Sequence, residues 1–270
     1  MKTFNSIGIQ RVSNQNHTSK GDQLKLYFNE EWDKAEYMGY EALSEVIVSE
    51  LLKKSNITNY VRYEPVKIRT DKEVVNGCVS TNFKKDNETV ITLEKLHRSY
   101  FGVGLADQLS KMKDIAERVK YTVDFTEAVT GLENFGKYLT AMLEMDALFL
   151  NEDRHTNNIA VIREESTKAY RFCPYFDNGF SLLSDLNDYP LEKDVYKLIN
   201  SVKAKPFSIS FDEQVDAAES LYGIGLHLGY ANSGIENTFA TLKDWYPSDI
   251  LSRVKTVVLE RKRKYALYFS

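Results

Sequence analysis

The sequence predicts an α+β fold in two lobes, a small strand-rich one over residues 1–84 and a larger, mostly helical one over residues 85–270. Three observations carry this. Apolar residues alternate in the first third, with Ile7 and Ile9, then Leu24, Leu26 and Phe28, on one face; that is the period of a half-buried strand. From about residue 95 onward the spacing turns helical. The polar stretch Asn151–Asn158 is bracketed by apolar segments, so its charged groups sit on loops carried by rigid elements.

The elements follow in order. Ser13–Gly21 is a polar loop between the first strands. Asn29-Glu30 sits where a tight turn returns the chain as Glu31–Ala35, and Trp32, Lys34 and Glu36 share one face of that strand. Residues 40–54 form an amphipathic helix with Leu43, Val46, Ile47 and Leu51 in its stripe. Val61–Ile68, Val74–Phe83 and Thr89–Leu93 resume strand character. Helical spacing then covers Val103–Val119, Gly136–Leu150, Glu192–Ser201, Phe211–Gly223, Gly234–Asp244 and Ser248–Tyr268. Gly223–Gly229 contains three glycines at the wrong spacing for a dinucleotide loop and follows a helix, so it reads as a turn.

Composition sets limits. A chain of 270 residues can bury a sizeable core, and 43% hydrophobic with 27% charged residues is ordinary for a soluble protein. A net charge of -4 gives no electrostatic case for nucleic acid, and no direct contact with it is expected. The run Arg261-Lys262-Arg263-Lys264 reads as a solvated helix face. Cys78 and Cys173 lack zinc spacing and fit a reducing compartment. No apolar run reaches the roughly 18 residues of a membrane span, and the N-terminus lacks a signal-length apolar stretch. A cytoplasmic protein without membrane contact is the expectation.

The segment with the most chemistry is Asn151-Glu152-Asp153-Arg154-His155-Thr156-Asn157-Asn158, followed after two short strands by Asp177-Asn178-Gly179. Met142–Leu150 before it reads as the end of a buried helix; Ile159–Ile162 and Tyr170–Phe172 are the strands. A carboxylate, a nearby amide and a second carboxylate are what phosphoryl transfer from ATP requires. One Asp orients the attacking hydroxyl and accepts its proton, while an Asn and another Asp hold Mg²⁺. Asp153 is therefore the candidate base, and Asn158 and Asp177 the candidate metal ligands.

The same chemistry needs a strand lysine on the phosphates, fixed by a helix glutamate. Lys34 fits; Lys25 on the preceding strand is the alternative, facing away from that strand's apolar side. Glu41 and Glu45 lie one turn apart, Glu45 deeper, although exposed positions suit both. Nucleotide is expected in the cleft between lobes. Gly77–Phe83 is the candidate hinge, where Val79, Thr81 and Phe83 offer backbone groups to adenine; an ordinary core strand is the alternative. Ser13, Thr18 and Ser19 are placed either to donate to the phosphates or to serve as turn residues.

The catalytic and metal segments resemble those of the HipA-like serine/threonine kinases, including their CtkA-like single-module members. The family pattern is Asn-x-Asp-Arg-His-x-x-Asn followed by Asp-x-Gly. Trp32-x-Lys34-Ala35 with Gly39-Tyr40-Glu41, and Ser44-Glu45 at the start of the apolar run, resemble the family's lysine strand and glutamate helix. The resemblance covers roughly residues 20–190 and implies a bilobal protein-kinase-like fold without the extra N-terminal HipA subdomain. It also implies an ATP- and Mg²⁺-dependent Ser/Thr protein kinase that autophosphorylates. The family's role as toxin or stress regulator implies a small antitoxin or regulatory protein as partner. The loop Ser13–Gly21 departs from a glycine-rich form, having one glycine. Phosphoinositide kinases carry a similar Asp-Arg-x-x-x-Asn, so a lipid or small-molecule kinase is the alternative enzyme. A pseudokinase interaction module is the non-enzyme alternative.

Overall fold

The computed structural model describes residues 3–5, 23–70 and 73–269. The expected strand face at Ile7 and Ile9 and the loop hydroxyls Ser13, Thr18 and Ser19 lie outside the described residues.

The upper lobe is a five-stranded sheet in the order β1-β4-β5-β3-β2. Its strands are β1 (Thr3–Asn5), β2 (Lys25–Phe28), β3 (Glu31–Ala35), β4 (Glu64–Arg69) and β5 (Val74–Thr81). The β2–β3 turn places Asn29 and Glu30 both at positive φ, the twist a two-residue hairpin demands. One face of the sheet holds a small apolar cluster of Leu26, Ala35, Val66, Ile68 and Val79. The opposite face, bearing Lys34 and Cys78, looks toward α1 (Glu41–Leu52).

The lower lobe begins with β6 (Glu88–Thr92), which pairs with β7 (Ala160–Glu164) and β8 (Tyr170–Phe172) in a separate three-stranded sheet. Its helices are α2 (Leu93–Phe101), α3 (Leu105–Leu109), α4 (Ile115–Thr130), α5 (Phe135–Phe149), α6 (Val195–Ile199), α7 (Phe211–Tyr222), α8 (Asn232–Ala240) and α9 (Ser248–Lys264). Nearly every residue of α5 is buried, so this helix is the axis around which the others pack. The arrangement is a bilobal, protein-kinase-like fold.

Helix α1 belongs to the lower core as much as to the upper sheet. All of its residues except Glu50 are buried, and its apolar side chains share one cluster with α5 and α9. Polar ties reinforce this: Ser44 Oγ donates to Ser181 O at 2.9 Å and Tyr40 OH to Leu182 O at 3.0 Å.

Two expectations are corrected. The helix expected over 103–119 is two helices, because Asp114 caps α4 by accepting from the Glu117 N–H at 2.7 Å; a capping side chain starts a new helix there. The basic run 261–264 is not a uniform solvated face. Arg261 is buried and donates to Ala147 O at 3.0 and 2.6 Å, which satisfies a carbonyl near the C-terminus of α5.

Candidate active site

The site is assembled where α5 ends. Leu150 adopts a left-handed conformation (φ 56°) and turns the chain out of the helix, while the Asn151 N–H closes on Asp146 O at 2.9 Å. Asp146, one turn inside the helix, accepts from Asn151 Nδ2 at 3.0 Å and takes a forked pair from Arg154, Nε at 2.9 Å and Nη2 at 3.0 Å. Burial pushes the Asp146 carboxyl up, with Arg154 working against it. The same guanidinium donates to Asn158 O at 3.1 Å, Phe176 O at 3.0 Å and Asn178 Oδ1 at 2.9 Å. Arg154 is 1% exposed. A fully buried cation is tolerable only when paired and hydrogen-bonded throughout, and here the partners are the loops on either side of the β7–β8 hairpin.

Those partners set Asp153 and Asn158. The Asp153 N–H donates to Asn151 Oδ1 at 3.1 Å, and Asp153 O accepts from Asn158 Nδ2 at 2.8 Å. With its Nδ2 so engaged, the Asn158 Oδ1 is the amide atom left for a cation. The Asp153 carboxylate meets Lys205 Nζ at 3.2 Å through Oδ1, and His155 Nε2 lies 3.7 Å from Oδ2, too far for a hydrogen bond.

The upper lobe contributes Lys34. Its ammonium lies 2.6 Å from Glu45 Oε1 and 3.0 Å from Asp177 Oδ1. Burial works against its charge, and Asp177 and Glu45 more than offset that, raising its pKa well above an ordinary lysine's. Partial burial would raise the Asp177 pKa, yet Lys34, then Lys25, hold it far below the usual carboxylate range. The other Glu45 oxygen accepts the Asn178 N–H at 2.9 Å. Glu41 turns away, accepting the Tyr37, Met38 and Gly39 N–H groups at 3.3, 2.6 and 3.2 Å at the start of its own helix.

Register decides the remaining positions. Lys25 stands directly opposite Lys34, and Tyr27 opposite Trp32. Directly opposed residues share a sheet face, so facing away from Leu26 does not separate Lys25 from Lys34. The expectation for Val79 concerned its backbone groups, and the register says where these lie. Val79 is paired with Asp33 on one side and Glu64 on the other, and its side chain lies in the apolar cluster of the far face. Cys78 and Ser80, opposite Lys34 and Trp32, are buried on the other face, the one that carries Lys34. Thr81 is exposed at the strand end, and its partner is Glu31. Phe83 packs its ring 5.7 Å from Phe176, and its carbonyl accepts from Arg171 Nη2 at 3.1 Å. Trp32 and Tyr27 pair at 4.9 Å on the face that carries Lys34.

Sequence reading did not find Arg154's bridging role, Lys205, or the Trp32–Tyr27 ring pair on the lysine's face. The ring pair had a signal in the two-residue period; Lys205 had none nearby. A further carboxylate group, Glu152, Asp185 and Asp188, has ligand atoms within 4.8 Å of one another, but each residue has partners of its own.

Fold and site together define a protein with kinase-like architecture. The chain has the fold of the proinflammatory kinase CtkA of Helicobacter pylori: 15% identity, TM-score 0.63, covering 99% of this chain and 97% of that one. It also resembles HipA of Shewanella oneidensis, solved with HipB and operator DNA, at 12% identity and TM-score 0.50, covering 97% of this chain and 68% of that one. No family model matches the chain, and no curated protein matches it in sequence. No helix among the described residues is long and apolar enough to cross a membrane.

Proposed function

We propose that the chain is an ATP- and Mg²⁺-dependent phosphotransferase of HipA-like type that phosphorylates Ser or Thr hydroxyls on a protein. The observation that carries this is the convergence of Lys34, Glu45 and Asp177 within 3.0 Å contacts, tied through Arg154 to the loop of Asp153 and Asn158. A buried salt bridge is a poor way to gain stability. A lysine shared by two carboxylates suits a site awaiting phosphates.

Lys34 would hold the nucleotide phosphates, with Glu45 fixing its position. Asn158 Oδ1 and the Asp177 carboxylate offer hard oxygen ligands of the type magnesium takes, and the metal would supply neutralisation of phosphate charge. Asp153 orients the acceptor hydroxyl and receives its proton. The Trp32–Tyr27 pair would roof the base, with the backbone of Val79, Thr81 and Phe83 offered to its edge. Such a site works by positioning and electrostatics rather than covalent chemistry.

The HipA neighbour carries HipB and DNA in its complex. We extend this to a small regulatory protein as partner here; with DNA in that complex, the charge argument against nucleic acid carries no weight. Cytoplasmic residence belongs to the same proposal.

The test is incubation of the protein with γ-labelled ATP, Mg²⁺ and a whole-cell extract, followed by location of the label. Label on protein Ser or Thr supports the reading. Label only in lipid or small molecules points to the alternative kinase class, and absence of both nucleotide binding and transfer overturns it.

A further inference from the structure

Lys205 reaches the candidate base from a distant part of the chain. Its ammonium lies 3.2 Å from Asp153 Oδ1. Among the described residues it is the group that hydrogen-bonds this carboxylate, since His155 stands off at 3.7 Å. The two side chains differ sharply in access: 42% exposed for Lys205 against 6% for Asp153. The lysine therefore approaches from the open side, where acceptor and phosphate must meet.

The loop holding it is fixed. Ala204 and Phe207, on either side, are buried. The Ala204 N–H donates to Ile209 O at 2.9 Å, and Phe207 O accepts from Arg118 Nη1 at 2.6 Å. Exposed lysine–carboxylate pairs are common and contribute little. This one differs because its carboxylate is nearly buried and its backbone is anchored on both flanks.

Resting on the functional reading above, we propose that Lys205 is a catalytic residue that binds the phosphoryl group in flight. An ammonium has three donors; one is engaged by Asp153 and the others are available to phosphoryl oxygens. In the transfer, the acceptor oxygen bonds to the γ-phosphorus, and the bond from that phosphorus to the β,γ-bridging oxygen breaks. ADP leaves with the electron pair, and the hydroxyl proton passes to Asp153. Lys205 stays protonated throughout, its charge facing the equatorial oxygens on which negative charge is spread in the transition state. Lys34 and Lys205 then grip the phosphate chain from opposite lobes.

The experiment compares full-length wild type, Lys205→Ala, Lys205→Arg and Lys203→Ala, the last an exposed lysine of the same loop. Mg·ATP affinity is measured by titration, transfer by label incorporation, and folding by thermal melt. Loss of one positioned donor costs about 10²–10³-fold in rate. Lys205→Ala should lose transfer on that scale while keeping its melt and binding Mg·ATP within about threefold of wild type. Lys205→Arg should recover part of the rate, and Lys203→Ala should match wild type. If wild type transfers and Lys205→Ala transfers equally well or faster, the inference fails while the kinase reading stands. A faster variant would mean that Lys205 obstructs Asp153. If Lys203→Ala loses as much as Lys205→Ala, general surface charge is the cause and the inference fails. Wild type that neither binds Mg·ATP nor transfers phosphate overturns the kinase reading, and this inference with it.

Discussion

Arg154 donates to Asn178 at 2.9 Å, so the loop carrying Asp153 and the turn carrying Asp177 are one mechanical piece. Asn178 in turn gives its N–H to Glu45, which extends that piece into α1.

Replacing Arg154 tests the clasp. Arg154→Ala strands Asp146, a carboxylate only 1% exposed, without its charge partner. Breaking a buried pair from one side costs about 3–5 kcal/mol, and chemical denaturation should read a loss of that order. Arg154→Lys should rescue little, because a lysine cannot reproduce the fork that spans Asp146 and Asn178. Near-normal stability of either variant would remove the clasp from the account.

Asp177→Asn should weaken the metal-dependent part of stabilisation by Mg·ATP, because a charged oxygen ligand is lost. The measurement is a thermal shift with nucleotide in the presence and absence of Mg²⁺, since a ligand of the folded state raises its apparent stability. An unchanged shift would show that Asp177 is not the metal carboxylate.

Asp153→Asn separates chemistry from binding. It should lower transfer about 10²–10⁴-fold and leave Mg·ATP affinity largely intact. Lys34→Ala should instead weaken nucleotide binding. Lys25→Ala should be milder, because among the described residues it is Lys34 that makes the 2.6 and 3.0 Å contacts to Glu45 and Asp177. Near-normal transfer by Asp153→Asn would sink the kinase reading.

Glu36 predicts a pH dependence of stability. Burial raises its pKa from 4.5 to about 7, against the hydrogen bond from Tyr246 OH at 2.7 Å. The folded form then holds a proton that the unfolded chain has released. Its contribution is complete below pH 4.5, falls as pH rises, and is gone above about 7. The loss is on the order of 3 kcal/mol. Glu36→Gln should flatten this decline in melts taken across that window, and a persisting slope would assign it to other groups.

Autophosphorylation is expected at Ser13, Thr18 or Ser19, the hydroxyl residues of the Ser13–Gly21 stretch within the small lobe's sequence. A phosphate there would repel the nucleotide's own charge and lower activity. Peptide mapping after ATP incubation checks it; label confined to other segments removes the proposal.

Much of the site was legible because its parts are local. Asp153, Arg154 and Asn158 lie within one turn-rich stretch, and Ser44-Glu45 opens an apolar run. What escaped was non-local. Thr89–Leu93 reads as a strand, but nothing in it says that it pairs with Val161 and Ile162 in the lower lobe. Lys205 meets Asp153 only because Ala204 and Phe207 bury themselves in the core. Which face the Val79 side chain takes was likewise not legible, because adjacent strand residues face opposite ways and the parity is set by the partner Asp33, remote in sequence. The start of α4 was readable in principle from Asp114 and Glu117, a capping pattern overridden by the longer apolar period around it.

The burial of α1 bears on control. Swinging this helix out of its packing between the two lobes would expose Leu43, Val46, Ile47, Val48, Leu51 and Leu52, at about 1.5–3 kcal/mol for each large side chain. That total exceeds the roughly 5.5 kcal/mol a ligand needs to reverse a two-state equilibrium. Glu45 is thus standing equipment, with no parked position for a signal to release. A ligand restraining this protein would work at lower cost by covering or filling the cleft than by disengaging α1.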